Sequence, residues 1–231
     1  MGASTERRRL YGEVDPRWRR RLSAVAEAAG YVVMAGAVLA LMGRLFEVPV
    51  LAQWVPTRVV RPMQPMTAVL FVMGSVGLLG LLVRPGPVVR RVGYLAAGLL
   101  MAGAVAIVVA NLADMRFPRW LLTSTTVEDI LGGEVAARPA LNEGVVLLAA
   151  GGALLLLTSR SVAAHVVGQL MAIAAAMVGA MVVVAFAYGD DGLRGFPLGT
   201  GRMSISTALL TIVLGGAIVV ARPSLGIMAP T

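Results

Sequence analysis

The sequence contains no cysteine, which excludes disulfides, thiolate metal sites and cysteine nucleophiles. It contains no lysine either, so all 20 basic residues are arginine, a bias that fits a GC-rich genome better than a chemical need. Its one histidine, His165, cannot make a haem or zinc site without partners, and no carboxylate lies near it in the sequence. Charged residues make up only 14% of the chain, against about 25% in a soluble domain. No GxSxG, HExxH or P-loop pattern is present, and no glycine-rich phosphate loop follows a strand. Nothing here points to an enzyme, a metal or a cofactor.

What fills the chain is apolar. Hydrophobic residues make up 58% of 231 positions, and the mean hydropathy is +0.84. A water-soluble core of this size cannot hide that excess. The net charge of +8 is not the footprint of a nucleic-acid binder, because the arginines sit mainly at the ends of apolar runs. The partner this composition implies is the lipid bilayer.

A spanning helix needs roughly 20 mostly apolar residues. Six stretches meet or approach that length: Leu22 to Phe46, Pro65 to Val83, Val92 to Ala113, Pro139 to Thr158, Ala163 to Tyr188, and Ser204 to Ala221. The first is too long for the roughly 7–15-residue core of a signal peptide, so it reads as a retained helix, with Asp15-Pro16 as its start. Spans three and five are rich in Ala and Gly and are expected to face other helices. Seven arginines precede the first span; Arg84, Arg90, Arg91, Arg160 and Arg222 occupy alternate turns. The remaining loops are longer and mixed in sign. By the positive-inside rule both termini are cytoplasmic, in a multi-pass protein of the cell membrane. Residues 1–21 form a basic segment and residues 22–231 the membrane domain.

Spans two, four and six repeat. "PMQPMTAVLFVMGSVGLLG", "RPALNEGVVLLAAGGALLL" and "RMSISTALLTIVLGGAIVV" align without gaps. Thr67, Glu143 and Thr207 share one position; Ser75, Gly151 and Gly215 share another. Between the first two copies the register also pairs Arg84 with Arg160 and Asp114 with Asp190. The unit is a helical hairpin, and the expected fold is all-α, with about six membrane helices built from repeated hairpins. Ser204 and Pro65 suit helix starts. Glu143 suits the positive end of a helix dipole. The Thr67, Glu143 and Thr207 position therefore reads as a helix-capping motif, with a ligand contact as the alternative.

The third copy has an inward helix and then Arg222-Pro223, with no outgoing helix of its own. Span six, with Gly215 and Gly216, is expected to pack on span one or on a partner chain. Trp54 and Trp120 suit the membrane interface, and "GDDG" from Gly189 reads as a helix-ending turn.

The pattern "RMS--TAL------G--(L/V)-ARP--G-MAP" after "AYGDDGLRGFPLGTG", with "GRLFEVPVLAQWVPTRVVRPMQPMTAVLF" near the first hairpin, resembles the N-terminal membrane sensor region of bacterial signalling proteins. In that family the region precedes PAS, histidine kinase, diguanylate cyclase or phosphatase domains. The resemblance covers Met42 to about Met228. It implies a sensory input module without chemistry of its own, in a chain lacking the family's further helix pair and output domain. Possible partners are a second copy or a cytoplasmic or membrane signalling protein. The candidate sensing surface lies in the outer loops: Asp114, Arg116, Arg119 and Trp120 after span three, and Asp190, Asp191 and Arg194 after span five. A small transporter or permease component, or a membrane scaffold, is the alternative; a transporter calls for ionisable residues at mid-membrane, which these spans almost lack.

The arginine asymmetry makes a direct prediction. Topology reporters fused after Arg84, Ala136, Arg160 and Thr231 should read cytoplasmic, outside, cytoplasmic and cytoplasmic. An outside signal at Arg160 would overturn the six-span arrangement.

Overall fold

The computed structural model describes residues 16–46, 48, 63–83, 86–113, 139–189 and 203–222. These residues build an all-α membrane protein. Helix α1 spans Pro16–Leu45, α2 Pro65–Leu78, α3 Pro87–Leu112, α4 Leu141–Leu156, α5 Val162–Tyr188 and α6 Ile205–Val220. A π-helical turn, Leu79–Val83, continues α2. Four helices are long and apolar enough to cross a membrane; α4 and α6, with 16 residues each, are shorter apolar helices.

The helices close into a ring in chain order, with α6 packed back on α1. Helices α2, α4 and α6 also touch one another and form the centre. Each of α1, α3 and α5 fills the outer groove between two of them. The exposed large apolar side chains follow this division. Most lie on α1, α3 and α5, with Val69 alone on α2, Val145 alone on α4 and none on α6. Helix α2 with its π-helical turn fills Pro65–Val83 as expected, and α4 and α6 fall one or two residues short of their expected ends. At 1.5 Å per residue, α4 and α6 are only about 24 Å long.

The repeat is built into the packing. Helix starts fall at equivalent positions, with Gln64, Ala140 and Ser204 as the N-caps. Pro65 occupies the first turn of α2, and Ser204 Oγ accepts the Thr207 N–H at 3.1 Å. Equivalent residues then stack in buried layers: Leu70, Val146 and Leu210; Leu78, Leu154 and Ile218; Leu81, Leu157 and Ala221. Gly74 belongs to the same set as Leu214, and the Leu214 side chain fills the space where a Gly74 Cβ would project. One large residue and one absent side chain thus share the central axis.

The buried faces of α3 and α5 are mostly small, as expected: Gly93, Ala96, Ala97 and Ala104 on one, Gly168, Ala172, Ala175 and Gly179 on the other. Small side chains let backbones approach, and close packing holds helices together in lipid. One close backbone approach is at the α2–α3 turn. A Cβ on Gly80 would lie 2.7 Å from the Val89 carbonyl oxygen, and one on Gly93 would lie 3.0 Å from the Gly80 carbonyl carbon.

Helix α6 does lie against α1, but its glycine face is used differently from the sequence expectation. A Cβ on Gly215 would lie 2.7 Å from the Ala172 oxygen on α5, while Gly216 faces open space. The repeat explains the correction. Gly151, the equivalent of Gly215, packs on Met101 and Leu100 of α3, so in both copies this glycine meets the outgoing helix before it in the chain. Gly189 ends α5 in the left-handed region, with φ of 70°, consistent with the helix-ending turn.

Gly215→Leu should therefore lower the melting temperature in detergent, since backbone blocks its side chain, while Gly216→Leu should leave it unchanged. Equal effects from both substitutions would contradict the α5 packing.

Candidate functional site

The three inner helices begin at one end of the bundle, and their third residues are Thr67, Glu143 and Thr207. All three are buried. Thr67 Oγ1 donates to Glu143 Oε2 at 2.9 Å, across 76 residues of chain. The same carboxyl is held by the Thr207 side chain and by the backbone N–H groups of Ser204 and Ala140. Ser204 Oγ and Thr207 Oγ1 lie 2.7 Å apart.

Helix geometry accounts for this arrangement. The first N–H groups of a helix have no partner within it. In a capping box, the acidic residue at the third position reaches back to the N-cap N–H; Glu143 does this at Ala140 on its own helix. Ala140 has no side chain with which to cap, and Gln64 makes no side-chain cap. Glu143 extends the same function sideways, to the N-cap N–H of α6 and to hydroxyls on α2 and α6. The positive ends of three helix dipoles converge here, where a carboxylate is a favourable side chain.

Neighbouring polar residues brace this end. Arg44 Nη1, at the end of α1, donates to Gln64 Oε1 at 3.2 Å. Asn111 Nδ2, at the end of α3, donates to the carbonyls of Ile107 at 2.8 Å and Pro139 at 3.1 Å, and so ties α3 to the start of α4. The side-chain amide of Asn142 is buried without a hydrogen-bond partner. Sequence reasoning missed Asn111, Asn142 and the Arg44–Gln64 bond. The available signal was a polar residue at the end of an apolar run.

Thr67, Glu143 and Thr207 thus come together as one cap. The proposed sensing residues, Asp114, Arg116, Arg119, Trp120, Asp190, Asp191 and Arg194, lie outside the described residues, as does Trp54. His165 is buried near the start of α5, with Nδ1 2.8 Å from the Ser161 oxygen and Nε2 unpartnered. Among the described residues, no group of three His, Cys, Asp or Glu side chains is placed to hold a metal ion.

Compared with known proteins, the chain matches no family model, no curated protein and no solved structure. Composition and architecture define its class as an all-α membrane protein.

Thr67→Val removes one hydrogen bond to a carboxyl group and should cost about 1.5–3 kcal/mol. Glu143→Ala should cost more, because it strands donors from three helices. In a double-mutant cycle measured by denaturation in detergent, the two should couple by roughly 0.5–3 kcal/mol. Additive effects would mean that the contact does not hold the helices together.

Proposed function

We propose that the protein is a membrane-embedded input module of a bacterial signal-transduction system, without catalytic activity of its own, with its N-terminus in the cytoplasm. The observation that carries this reading is the Glu143 junction. Residues 114–138 and 190–202, which include the candidate sensing residues, immediately precede in the sequence the helix starts that Glu143 ties together. A stimulus on either segment acts on Ala140 or Ser204. Its effect reaches α2, α4 and α6 through one carboxyl group, and these helices end at the arginine-rich side of the bundle.

A transporter is supported less well. Its ionisable groups belong near mid-membrane, whereas Glu143 sits in a first helical turn and His165 near the beginning of α5. Both lie at helix ends.

A chimera with a diguanylate cyclase domain fused after Thr231 tests the reading. Glu143→Gln should change cyclic dinucleotide output at least severalfold at equal membrane abundance, and so should Asp114→Ala with Asp190→Ala. Output indifferent to both changes would remove the signalling assignment. Solute uptake by vesicles containing the protein, lost in Glu143→Gln, would replace it with transport.

A further inference from the structure

Helix α1 is longer than a membrane requires. Its 30 residues span about 45 Å at 1.5 Å per residue, against a hydrocarbon core of about 30 Å. The surplus falls at one end. Arg44, in the last turn, donates to Gln64 at the N-cap of α2, so that end of α1 is level with the helix starts around Glu143. Counting about 30 Å back from Arg44 reaches Ala24, and the turns before Ala24 project further. The packing agrees. From Arg17 onward the first buried residue of α1 is Ala26, whereas Arg17, Trp18, Arg19, Arg20 and Arg21 are all exposed.

The projecting turns are basic and carry one aromatic side chain. From Pro16 to Ala26 the sequence has four arginines and no acid. Trp18 is 58% exposed, and the Arg21 guanidinium lies 5.9 Å from its ring centre, within cation–π range. Trp18 to Arg21 lie about 5–9 Å beyond Ala24, at the depth of a head-group layer roughly 5–8 Å thick in each leaflet. At 3.6 residues per turn, Arg19, Arg20 and Arg21 point in three directions around α1. A protein partner covers one side of a helix, whereas a head-group layer encircles a helix that emerges through it.

We propose that Trp18, Arg19, Arg20 and Arg21 form a collar around α1 that binds the head groups of anionic phospholipids. Guanidinium groups match phosphate oxygens with paired hydrogen bonds, and a basic segment next to a membrane helix is drawn to an anionic leaflet. Trp18 suits the same depth, where an indole meets both apolar and polar surroundings. The collar is independent of the signalling reading.

The full chain with Trp54→Phe and Trp120→Phe keeps Trp18 as its one tryptophan. It is reconstituted into vesicles of phosphatidylcholine, with or without phosphatidylglycerol, each holding the same trace of a phosphatidylcholine with a nitroxide on its head group. The nitroxide, present in both leaflets, quenches tryptophan at head-group depth. Quenching of Trp18 should be stronger by at least about twofold with phosphatidylglycerol present at low salt, and about 1 M salt should remove the difference. Arg19→Gln, Arg20→Gln and Arg21→Gln together should abolish it. The same three positions changed to lysine should keep most of it, and Arg160→Gln, after α4, should keep it fully. A difference that survives high salt or the triple glutamine variant would overturn the proposal, as would its complete loss in the lysine variant or in Arg160→Gln. Equal quenching in both kinds of vesicle would also overturn it, in favour of an acidic protein partner for the projecting turns.

Discussion

A helix that begins inside a membrane protein must find partners for its first N–H groups, because lipid offers none and an unpaired group there is costly. Three helices of this bundle begin together, and most of what is distinctive in the structure follows from how that requirement is met. Ser204 caps α6 locally, and Pro65 removes one donor from the start of α2. Glu143 accepts the N-cap N–H groups of α4 and α6 and a hydroxyl from α2. Bringing three helix starts to one carboxyl group places the inner helices side by side, and the outer three then cover them.

The ring closes because α1 takes the place that an outgoing helix of the third copy would occupy. It runs in the same direction as α3 and α5 and packs between α6 and α2, just as α3 packs between α2 and α4. A Gly30 Cβ would meet Leu78 and Leu79 at the end of α2, and Arg44 reaches the start of α2, so α1 lies along the length of that helix. Each inner helix therefore has an outer helix on both sides. The third copy is completed in space by the first helix of the chain. The exchange at the centre, where Leu214 projects toward Gly74, shows that the repeat is not copied side chain for side chain. Three leucines on the axis would collide, and three glycines would leave a void.

Much of this was legible in the sequence because membrane helices announce themselves by length, hydropathy and flanking arginines. Ser204, Pro65 and Gly189 carried readable local signals, and the register of the repeat extends the Ser204 cap to Gln64 and Ala140. Other features arise only from packing. The π-helical turn after Leu78 has no counterpart in the other copies; only the facing pair Gly80 and Gly93 hinted at so close an approach. The direction of Gly215 toward α5 was implicit in its equivalence to Gly151 but needed the ring order to be read. The convergence of Thr67, Glu143 and Thr207 was visible as an alignment column, but that the column forms a contact depends on three helices starting at the same depth.

The column also explains why one copy departs from the other two. A hydroxyl offers one donor and two acceptor sites, so three threonines could satisfy one another and little else. A carboxylate offers only acceptors, about four sites in all. The groups that reach Glu143 are the hydroxyls of Thr67 and Thr207 and the backbone N–H groups of Ser204 and Ala140, which matches that capacity. Thr207 can donate to Glu143 because Ser204 Oγ, 2.7 Å away, can supply the hydrogen bond that the Thr207 oxygen then accepts. A second acid in the column would add acceptors without donors and set two like charges side by side. The cluster therefore has room for one carboxyl group, and the loss of repeat symmetry at Glu143 allows the symmetric bundle to close its polar end.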